Sequence, residues 1–206
     1  MATKINVVTI GREYGSGGHE IGEKLAQSLG IRFYDSEILI RAAKDSGICE
    51  ELFRENDEKT TPSYLYSLVS GSTGVPGAFM LDIPLNQRIF IAQFEAITKL
   101  SKESPCVIVG RCADYVLRER KDVLNVFLYA SVEERIKRII RVKGVTEEKA
   151  REDVKKVDKQ RQSYYNYFAD YDWGDHHHYD LMMRTDGIST DECARLIQDF
   201  LSARQA

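Results

Sequence analysis

Short apolar runs alternate with helical patterns along most of this chain. The apolar runs are nearly continuous and rich in β-branched and aromatic residues, as is typical of parallel strands covered on both faces. They predict strands at residues 5–10, 31–34, 106–109, 124–129 and 179–183. Between the strands, the spacing of apolar residues predicts helices over residues 19–29, 36–44 and 86–100. This alternation predicts an α/β fold with a parallel sheet.

Local signals mark the ends of several helices. Gly30 follows the first helical pattern, as expected of a glycine at a helix C-terminus. Ser131 and Ser189 each precede a glutamate by three residues. This spacing predicts capping boxes, in which the serine caps the helix and the glutamate reaches back to the serine N–H. Thr146, followed by two glutamates, predicts a third cap.

Two regions interrupt the alternation. Residues 47–85 are long and irregular, whereas residues 144–178 are first charged and then rich in tyrosine. A connection as long as residues 47–85 inside a compact domain is usually functional or mobile. We therefore expect one domain over residues 1–206 that carries two additions to its α/β framework.

Composition narrows the possible partners. The chain has 206 residues, of which 43% are hydrophobic and 30% charged, and its formal net charge is −3. This balance disfavours a nucleic-acid binder that acts by neutralising phosphates. No apolar run approaches the ~20 residues of a membrane helix, and the polar start of the chain is unlike a secretory signal. We expect a cytoplasmic protein without a nucleic-acid or membrane partner.

Neither the cysteines nor the histidines have a metal-binding spacing. We expect free thiols at Cys49, Cys106, Cys112 and Cys193. His176, His177 and His178 are consecutive, and neighbouring residues of an extended chain point in alternating directions. We therefore expect these rings to be exposed or packed rather than to ligate one ion.

A glycine-rich loop separates the first strand from the first helix. It contains Gly11, Gly15, Ser16, Gly17 and Gly18. Glycine permits a tight backbone path, in which N–H groups at a helix N-terminus point at a bound phosphate. Because the loop lies between a buried strand and a helix, we expect it to bind the phosphates of a nucleotide.

The loop departs from the common phosphate-binding pattern G-x-x-x-x-G-K-[ST]. Gly18 stands where that pattern has lysine, and the glycine spacing is one residue longer. Arg12 could supply the missing charge and Ser16 a hydroxyl for phosphate or Mg²⁺, whereas His19 is a weaker substitute for lysine. Glu13 would repel phosphates unless it pairs with an arginine or helps to hold the metal.

Together with this loop, four further segments resemble the cytidylate-kinase-like branch of the P-loop nucleoside monophosphate kinases. They are Phe33-Tyr34-Asp35-Ser36 with Arg41, Val109-Gly110-Arg111, Phe127-Leu128-Tyr129-Ala130-Ser131 with Arg135, and Asp158-Lys159-Gln160-Arg161. The resemblance implies a three-layer P-loop NTPase fold with a five-stranded parallel sheet of order 2-3-1-4-5. It also implies an acceptor-binding insertion at residues 47–85 and a helical lid at residues 144–178.

The same resemblance implies an ATP-dependent kinase that uses Mg²⁺, with cytidine monophosphate as the first candidate acceptor. Transfer of a phosphoryl group depends on positioning and charge neutralisation, for which the planar fork of arginine is suited. The predicted catalytic residues are Arg12, Arg111 and Arg161. The predicted acceptor contacts are Asp35, Arg41, Arg111 and Arg161. The loop, His19, Arg135 and Arg138 are expected to hold the donor nucleotide.

The sequence offers several candidate ligands for the metal. Cys112 stands where related sequences have aspartate, so Ser16, Asp35 and Asp114 are the candidate ligands of Mg²⁺. Cys112 itself is expected to be a small packing residue.

The tyrosines between Tyr164 and Tyr171 could stack on a base, form a small core of the lid, or contact a second subunit of a homodimer.

Two other functions stay open. The missing lysine and Cys112 are compatible with a nucleotide-binding regulator that has no transferase activity. Alternatively, the acceptor is a small metabolite other than a nucleotide.

Overall fold

A twisted parallel sheet, covered by helices on both faces, forms the framework of the protein. The computed structural model describes residues 4–58 and 83–205, apart from the side chain of Asn56. Within these ranges the sheet has five strands in the order β2-β3-β1-β4-β5, all parallel. The predicted three-layer fold and strand order are confirmed.

The five strands and the three helices predicted from apolar spacing occur in the expected order, whereas a further helix lies at Glu50–Asn56, inside a region predicted to be irregular. The strands are β1 (Val7–Arg12), β2 (Arg32–Tyr34), β3 (Cys106–Val109), β4 (Val123–Tyr129) and β5 (Leu181–Arg184). The helices are α1 (Gly18–Leu29), α2 (Glu37–Ser46), α3 (Glu50–Asn56), α4 (Leu85–Glu103), α5 (Ala113–Val116), α6 (Val132–Lys143), α7 (Glu147–Phe168) and α8 (Thr190–Gln205). A 3₁₀ turn covers His176–His178.

The first strand extends further towards the loop than its apolar pattern indicates. Gly11 and Arg12 pair with Phe127 and Leu128 of β4, so both belong to β1. The glycine-rich loop therefore begins after Arg12. Backbone pairing with β4 fixes where the Arg12 side chain leaves the sheet.

Alternate residues of the central strands build two separate cores. Val7 packs with Ile38 of α2 and Ile97 of α4 on one face. Val8, the next residue, packs with Ile21 of α1 and with α8 on the other face. Since successive side chains of a strand point to opposite faces, apolar runs without alternation are needed here.

The predicted helix caps form, but neither capping box is complete, since Glu192 accepts from Arg195 instead of from the Ser189 N–H. The side chains of Ser131, Thr146 and Ser189 each accept a hydrogen bond from a backbone N–H three residues on. Glu134, however, does not provide the return bond, because the Ser131 N–H donates to Asp186 at 2.8 Å. The predicted return bond from Glu134 is wrong, because the carboxylate of Asp186, in the turn after β5, accepts from the Ser131 N–H instead.

The two irregular regions differ in how much of them the structure describes. Residues 59–82, most of the predicted acceptor-binding insertion, lie outside the described residues. Most of the predicted lid forms α7, which packs against α6. Its role as a lid stays a prediction. Among the described helices, none is both long and apolar enough to cross a membrane.

The contribution of α8 to the fold can be tested with two neighbouring residues. Ile197 is 0% exposed in the core between α1 and the sheet, whereas Leu196 is 38% exposed. We expect Ile197→Ala to lower the free energy of unfolding by about 2–5 kcal/mol because it leaves a cavity. Leu196→Ala should cost less than about 1 kcal/mol. Urea denaturation measures both, and equal losses would contradict this packing.

Candidate functional site

The glycine-rich loop connects β1 to α1 at the carboxyl ends of the strands. Gly17 has φ 93° and directly precedes α1, and no side chain of the described residues caps this helix. The first N–H groups of α1 are therefore directed at the loop, where they favour an anion. Ligands of open parallel sheets bind at this edge. The loop thus has the position that a phosphate-binding loop requires.

Ser16 stabilises the glycine-rich loop itself through its own hydrogen bonds. Ser16 is fully buried, and its Oγ donates to the Glu13 carbonyl at 2.9 Å. The Ser16 carbonyl accepts a hydrogen bond from Thr185 Oγ1 at 2.9 Å. The hydroxyl predicted to bind phosphate or Mg²⁺ thus points into the loop, and Ser16 does not fit a metal ligand in this arrangement.

Arg12 and the glycine at position 18 depend on each other. A Cβ atom added to Gly18 would lie 2.8 Å from both Cβ and Cγ of Arg12, closer than atoms pack. A lysine at position 18 would therefore collide with the Arg12 side chain. At the far end of that side chain, Nη1 would lie 2.2 Å from a Cβ on Gly110, whose φ is 75°. The two glycines form the path along which Arg12 runs.

The guanidinium of Arg12 ends in a buried cluster that has Glu58 at its centre. Arg12 donates to both carboxylate oxygens of Glu58, at 2.6 and 3.2 Å. Arg161 donates through Nε at 3.0 Å, and the backbone N–H of Arg111 donates at 3.2 Å. Burial opposes ionisation of Glu58, but Arg12 and Arg161 hold the pKa of its carboxyl far below the ordinary value. Glu58 is therefore an anion among converging donors.

Arg111 is bound by two further carboxylates. Its guanidinium donates to Asp57 at 2.8 Å, to Asp35, and to the Val109 carbonyl at 3.1 Å. Burial lowers the pKa of Arg111, but Asp57 and Asp35 outweigh this and raise it. Among the described residues, Arg111 Nε and Asp57 Oδ1 are buried without a hydrogen-bond partner. The cluster thus retains unused polar atoms, which in native proteins call for an explanation.

The backbone that carries Arg111 is strained. After β3, Gly110 is followed by Arg111 at φ 55° and Cys112 at φ 54°. Non-glycine residues adopt this left-handed region at a cost of about 1–3 kcal/mol each, and they cluster at functional sites. Here the left-handed turn directs the Arg111 N–H at the Glu58 carboxylate, as in the backbone concavities that bind anions.

Helix α7 fixes the other side of the loop through Asp158. Its carboxylate accepts from the Tyr14 N–H at 2.7 Å and pairs with Arg135. Arg135 also lies 3.4 Å from Glu13, so Glu13 has an arginine partner, which is one of the two roles expected for it. Arg135, predicted to contact the donor, is buried between these carboxylates and outside the open cleft. Its neighbour Arg138 donates to the Gly15 carbonyl at 3.0 Å and borders the cleft.

Two cavities meet at Arg12 and Arg161. An open cleft of about 250 Å³ lies against the loop and is bordered by His19, Asp35, Arg138 and Lys143, among others. A small cavity of about 20 Å³ lies beyond it, beside Gly110, Arg111, Tyr164, Tyr165 and Trp173. Both cavities are lined by Arg12 and Arg161. The two side chains therefore separate the open cleft from the small cavity.

Of the three predicted metal ligands, Asp35 is the one that borders the open cleft. Its Oδ1 accepts a hydrogen bond from Arg111, and its Oδ2 lies 2.6 Å from His19 Nδ1. Although burial raises the pKa of its carboxyl, Arg111 and Arg12 keep that pKa below the ordinary value. Mg²⁺ is commonly held by one or two carboxylates together with substrate phosphates. Asp114 fits poorly, because it accepts a hydrogen bond from Tyr165 at 2.5 Å and burial raises the pKa of its carboxyl.

Arg41 lies apart from this chemistry, whereas Cys112 borders the small cavity as a packing residue. Arg41 pairs with Asp45 and Glu103, each at 3.1 Å, on the outer side of α2. The structure therefore does not bring Arg41 to Arg111 and Arg161. Cys112 is buried, and burial raises the pKa of its thiol well above the ordinary value, which agrees with a packing role.

The tyrosine-rich segment forms a small core. Tyr164 is buried and donates to Gln93 at 2.6 Å, while Phe90 of α4 stacks on Phe168 with ring centroids 4.0 Å apart. Tyr164 and Tyr165 pack together with Cys112 in this cluster. Tyr164 and Tyr165 thus lie in a core that joins α7 to α4 and to the turn after β3, rather than in a core of the lid alone, and both also border the small cavity.

The three histidines lie in a 3₁₀ turn rather than in an extended chain. Asp175 accepts from the His177 N–H at 3.1 Å and contacts His177 Nδ1 at 2.8 Å. One ligand atom each from Asp175, His176 and His177 lie within 4.8 Å of one another. The two imidazoles are 74% and 72% exposed, and the capping contact of Asp175 accounts for the grouping.

Sequence reasoning missed Asp57, Glu58 and Lys143. No motif marks them, but one signal was present: several buried arginines require carboxylates, because unpaired charges are rarely buried. Lys143 lies at the end of α6, where it borders the cleft and its Nζ lies 5.2 Å from the centre of the Tyr14 ring.

Solved structures share this fold over nearly the whole chain. An uncharacterized protein from Eubacterium ventriosum is 28% identical, with a TM-score of 0.72 over 97% of this chain and 99% of that one. Shikimate kinase from Acinetobacter baumannii, in complex with shikimate, is 17% identical with a TM-score of 0.52 over 99% and 96%. Shikimate kinase from Bacteroides thetaiotaomicron is 14% identical with a TM-score of 0.54 over 95% and 98%.

Among curated proteins, none matches this chain at a significant level. The shikimate kinases are too distant to indicate more than the shared P-loop kinase fold. A family model provides the stronger evidence, because the model of the cytidylate kinase-like family matches residues 7–199. This span includes the loop, Arg111, α7 and all five strands of the sheet. The chain belongs to the cytidylate kinase-like family.

Proposed function

We propose that this protein is an ATP-dependent kinase whose small acceptor carries a phosphate group, with a nucleoside monophosphate such as cytidine monophosphate as the first candidate. Membership of the cytidylate kinase-like family supports a kinase. The observation that carries the proposal is the position of Arg12 and Arg161, which border both cavities. A phosphoryl group that passes from the cleft to the small cavity passes between these two arginines.

The open cleft is suited to the donor. The uncapped N-terminus of α1 offers N–H groups to the phosphates of ATP. Arg138 and Lys143 provide positive charge on the opposite wall, and Ile139 and Val142 provide apolar surface. Asp35 would hold Mg²⁺ at the inner end of the cleft, where the ion would neutralise charge on the donor phosphates.

The arginine cluster is suited to the acceptor and to the transferred group. In the reaction, an acceptor oxygen bonds to the γ-phosphorus of ATP while the bond to the β-phosphate oxygen breaks, and ADP leaves. Positioning and charge neutralisation supply most of the catalysis in such transfers. Arg12 and Arg161 would neutralise the transferred group, and Arg111 would hold the acceptor phosphate with its planar fork.

A screen of ADP release tests the function and the role of Arg12. With ATP and Mg²⁺, we expect turnover with a nucleoside monophosphate. Arg12→Ala should lower kcat by about 10²–10³-fold, because it removes a donor to the transferred group. Arg195→Ala removes an exposed arginine of α8 that pairs with Glu192 and Asp199, and it should leave kcat unchanged.

Other outcomes of the screen would contradict the proposal in different ways. Unchanged turnover of Arg12→Ala would show that Arg12 does not replace the missing lysine. ATP binding without phosphorylation of any acceptor would favour the regulator. Turnover with an acceptor that carries no phosphate would favour a metabolite kinase.

The assignment of donor and acceptor sides predicts a separation of KM effects. Arg111→Lys keeps the charge but loses the bidentate fork, so we expect the KM for the acceptor to rise about tenfold or more and the KM for ATP to stay constant. Arg138→Ala should raise the KM for ATP instead. Steady-state kinetics with both substrates varied measures this, with thermal unfolding as a check of folding. Equal effects of either variant on both KM values would refute the assignment.

A further inference from the structure

Two carboxylates of this chain occupy the arginine cluster that the proposed function assigns to the acceptor. Glu58 receives the fork of Arg12, Nε of Arg161 and the Arg111 N–H. Asp57 receives Nη2 of Arg111 at 2.8 Å. These are the donors that an acceptor phosphate would use. In the absence of acceptor, the cluster is therefore filled from within the chain.

The space left beside these carboxylates is too small for a substrate. The cavity bordered by Glu58 and Arg111 measures about 20 Å³, which is about the room that one water molecule needs. A phosphate group is larger than a water molecule. An acceptor can reach the arginines only if Asp57 and Glu58 move away from them.

The charges of the cluster indicate what can replace the two carboxylates. Among the described residues, the positive charges of Arg12, Arg111 and Arg161 face the carboxylates of Asp35, Asp57 and Glu58. Positive and negative charges are equal in number. Since Asp57 and Glu58 are adjacent in the chain, they leave together and expose two unpaired positive charges. A dianion restores the balance, whereas a monocarboxylate does not.

The turn that carries the two carboxylates is held by these ion pairs against an unfavourable backbone. Glu58 has φ 51°, in the left-handed region that favours glycine. The preceding helix α3 is anchored by Phe53, which is fully buried among residues of α2 and α4. The turn at residues 57–58 can therefore release its strain and leave the arginines while α3 stays in place.

We propose that Asp57 and Glu58 act as an internal anion that the dianionic phosphate of the acceptor displaces. This inference rests on the proposed function and deepens it, because it places a competitor from the chain itself in the site assigned to the acceptor phosphate. The competition also sets specificity, since only a ligand that satisfies the arginines better than the two carboxylates opens the site.

Binding of inorganic phosphate in the absence of ATP tests the displacement. Trp173, the single tryptophan of the chain, lines the small cavity and reports binding by its fluorescence. Glu58→Gln removes the competing charge but keeps the side-chain shape. We expect this variant to bind phosphate at least about tenfold more tightly than the wild type. An internal competitor raises the apparent Kd for phosphate, because only molecules in which the carboxylates have left the arginines can bind it.

The matched control is Glu50→Gln, which makes the same change on α3 at an exposed glutamate paired with Arg54. Its affinity for phosphate should equal that of the wild type. Unchanged or weaker binding by Glu58→Gln would overturn the proposal, since Glu58 would then only hold the arginines in place. If Glu58→Gln does not fold, Asp57→Asn provides the same comparison, with tighter phosphate binding expected.

A comparison of anions tests the charge argument. We expect the wild-type protein to bind phosphate at least tenfold more tightly than acetate, and equal affinities would overturn the assignment to a dianion. These titrations involve no turnover. Tighter binding by Glu58→Gln together with a negative ADP-release screen would reject the kinase and keep the internal anion. Turnover without tighter phosphate binding by Glu58→Gln would keep the kinase and reject the internal anion.

Discussion

The pairing of buried charges at the carboxyl edge of the sheet is the constraint on which the site depends. Arg12 and Arg111 are buried, and Glu58 lies between Arg12 and Arg161. Removing one partner of a buried pair commonly costs about 3–5 kcal/mol, because the other charge is left unpaired. The end of β1, the turn after β3, α7 and the segment after α3 must therefore meet at one point, and the position of Glu58 follows from that requirement.

Close packing of backbone against side chain explains the unusual loop. The common pattern places lysine where this chain has Gly18, yet Cβ and Cγ of Arg12 occupy the space that a side chain at position 18 would need. The guanidinium then passes over Gly110 into the charge cluster. Gly18 in place of lysine therefore goes together with Arg12 at the end of β1. The positive charge reaches the site from the strand rather than from the helix.

Arginines that are close in sequence serve different purposes because their surroundings differ. Arg135 and Arg138 lie one turn apart on α6. Arg135 is buried between Glu13 and Asp158 and fastens the loop to α7. Arg138 contacts the loop carbonyl of Gly15 and remains on the wall of the open cleft. Helical spacing predicts only that both face the same side, and carboxylates from other elements decide which one is available to a ligand.

Local signals in the sequence specify most of the framework of this protein. Apolar runs, glycines and caps predicted the five strands and most of the helices, while the resemblance supplied the sheet order and the arginines of the site. How these arginines are neutralised depends on contacts that form only in the folded chain. Arg12 and Glu58 are separated by 46 positions, and Arg161 and Glu58 by 103, distances over which local periodicity carries no information. The resemblance also placed Arg41 at the site, but Asp45 and Glu103 hold it on the outer side of α2, a position that depends on how α2 packs against the helix that carries Glu103.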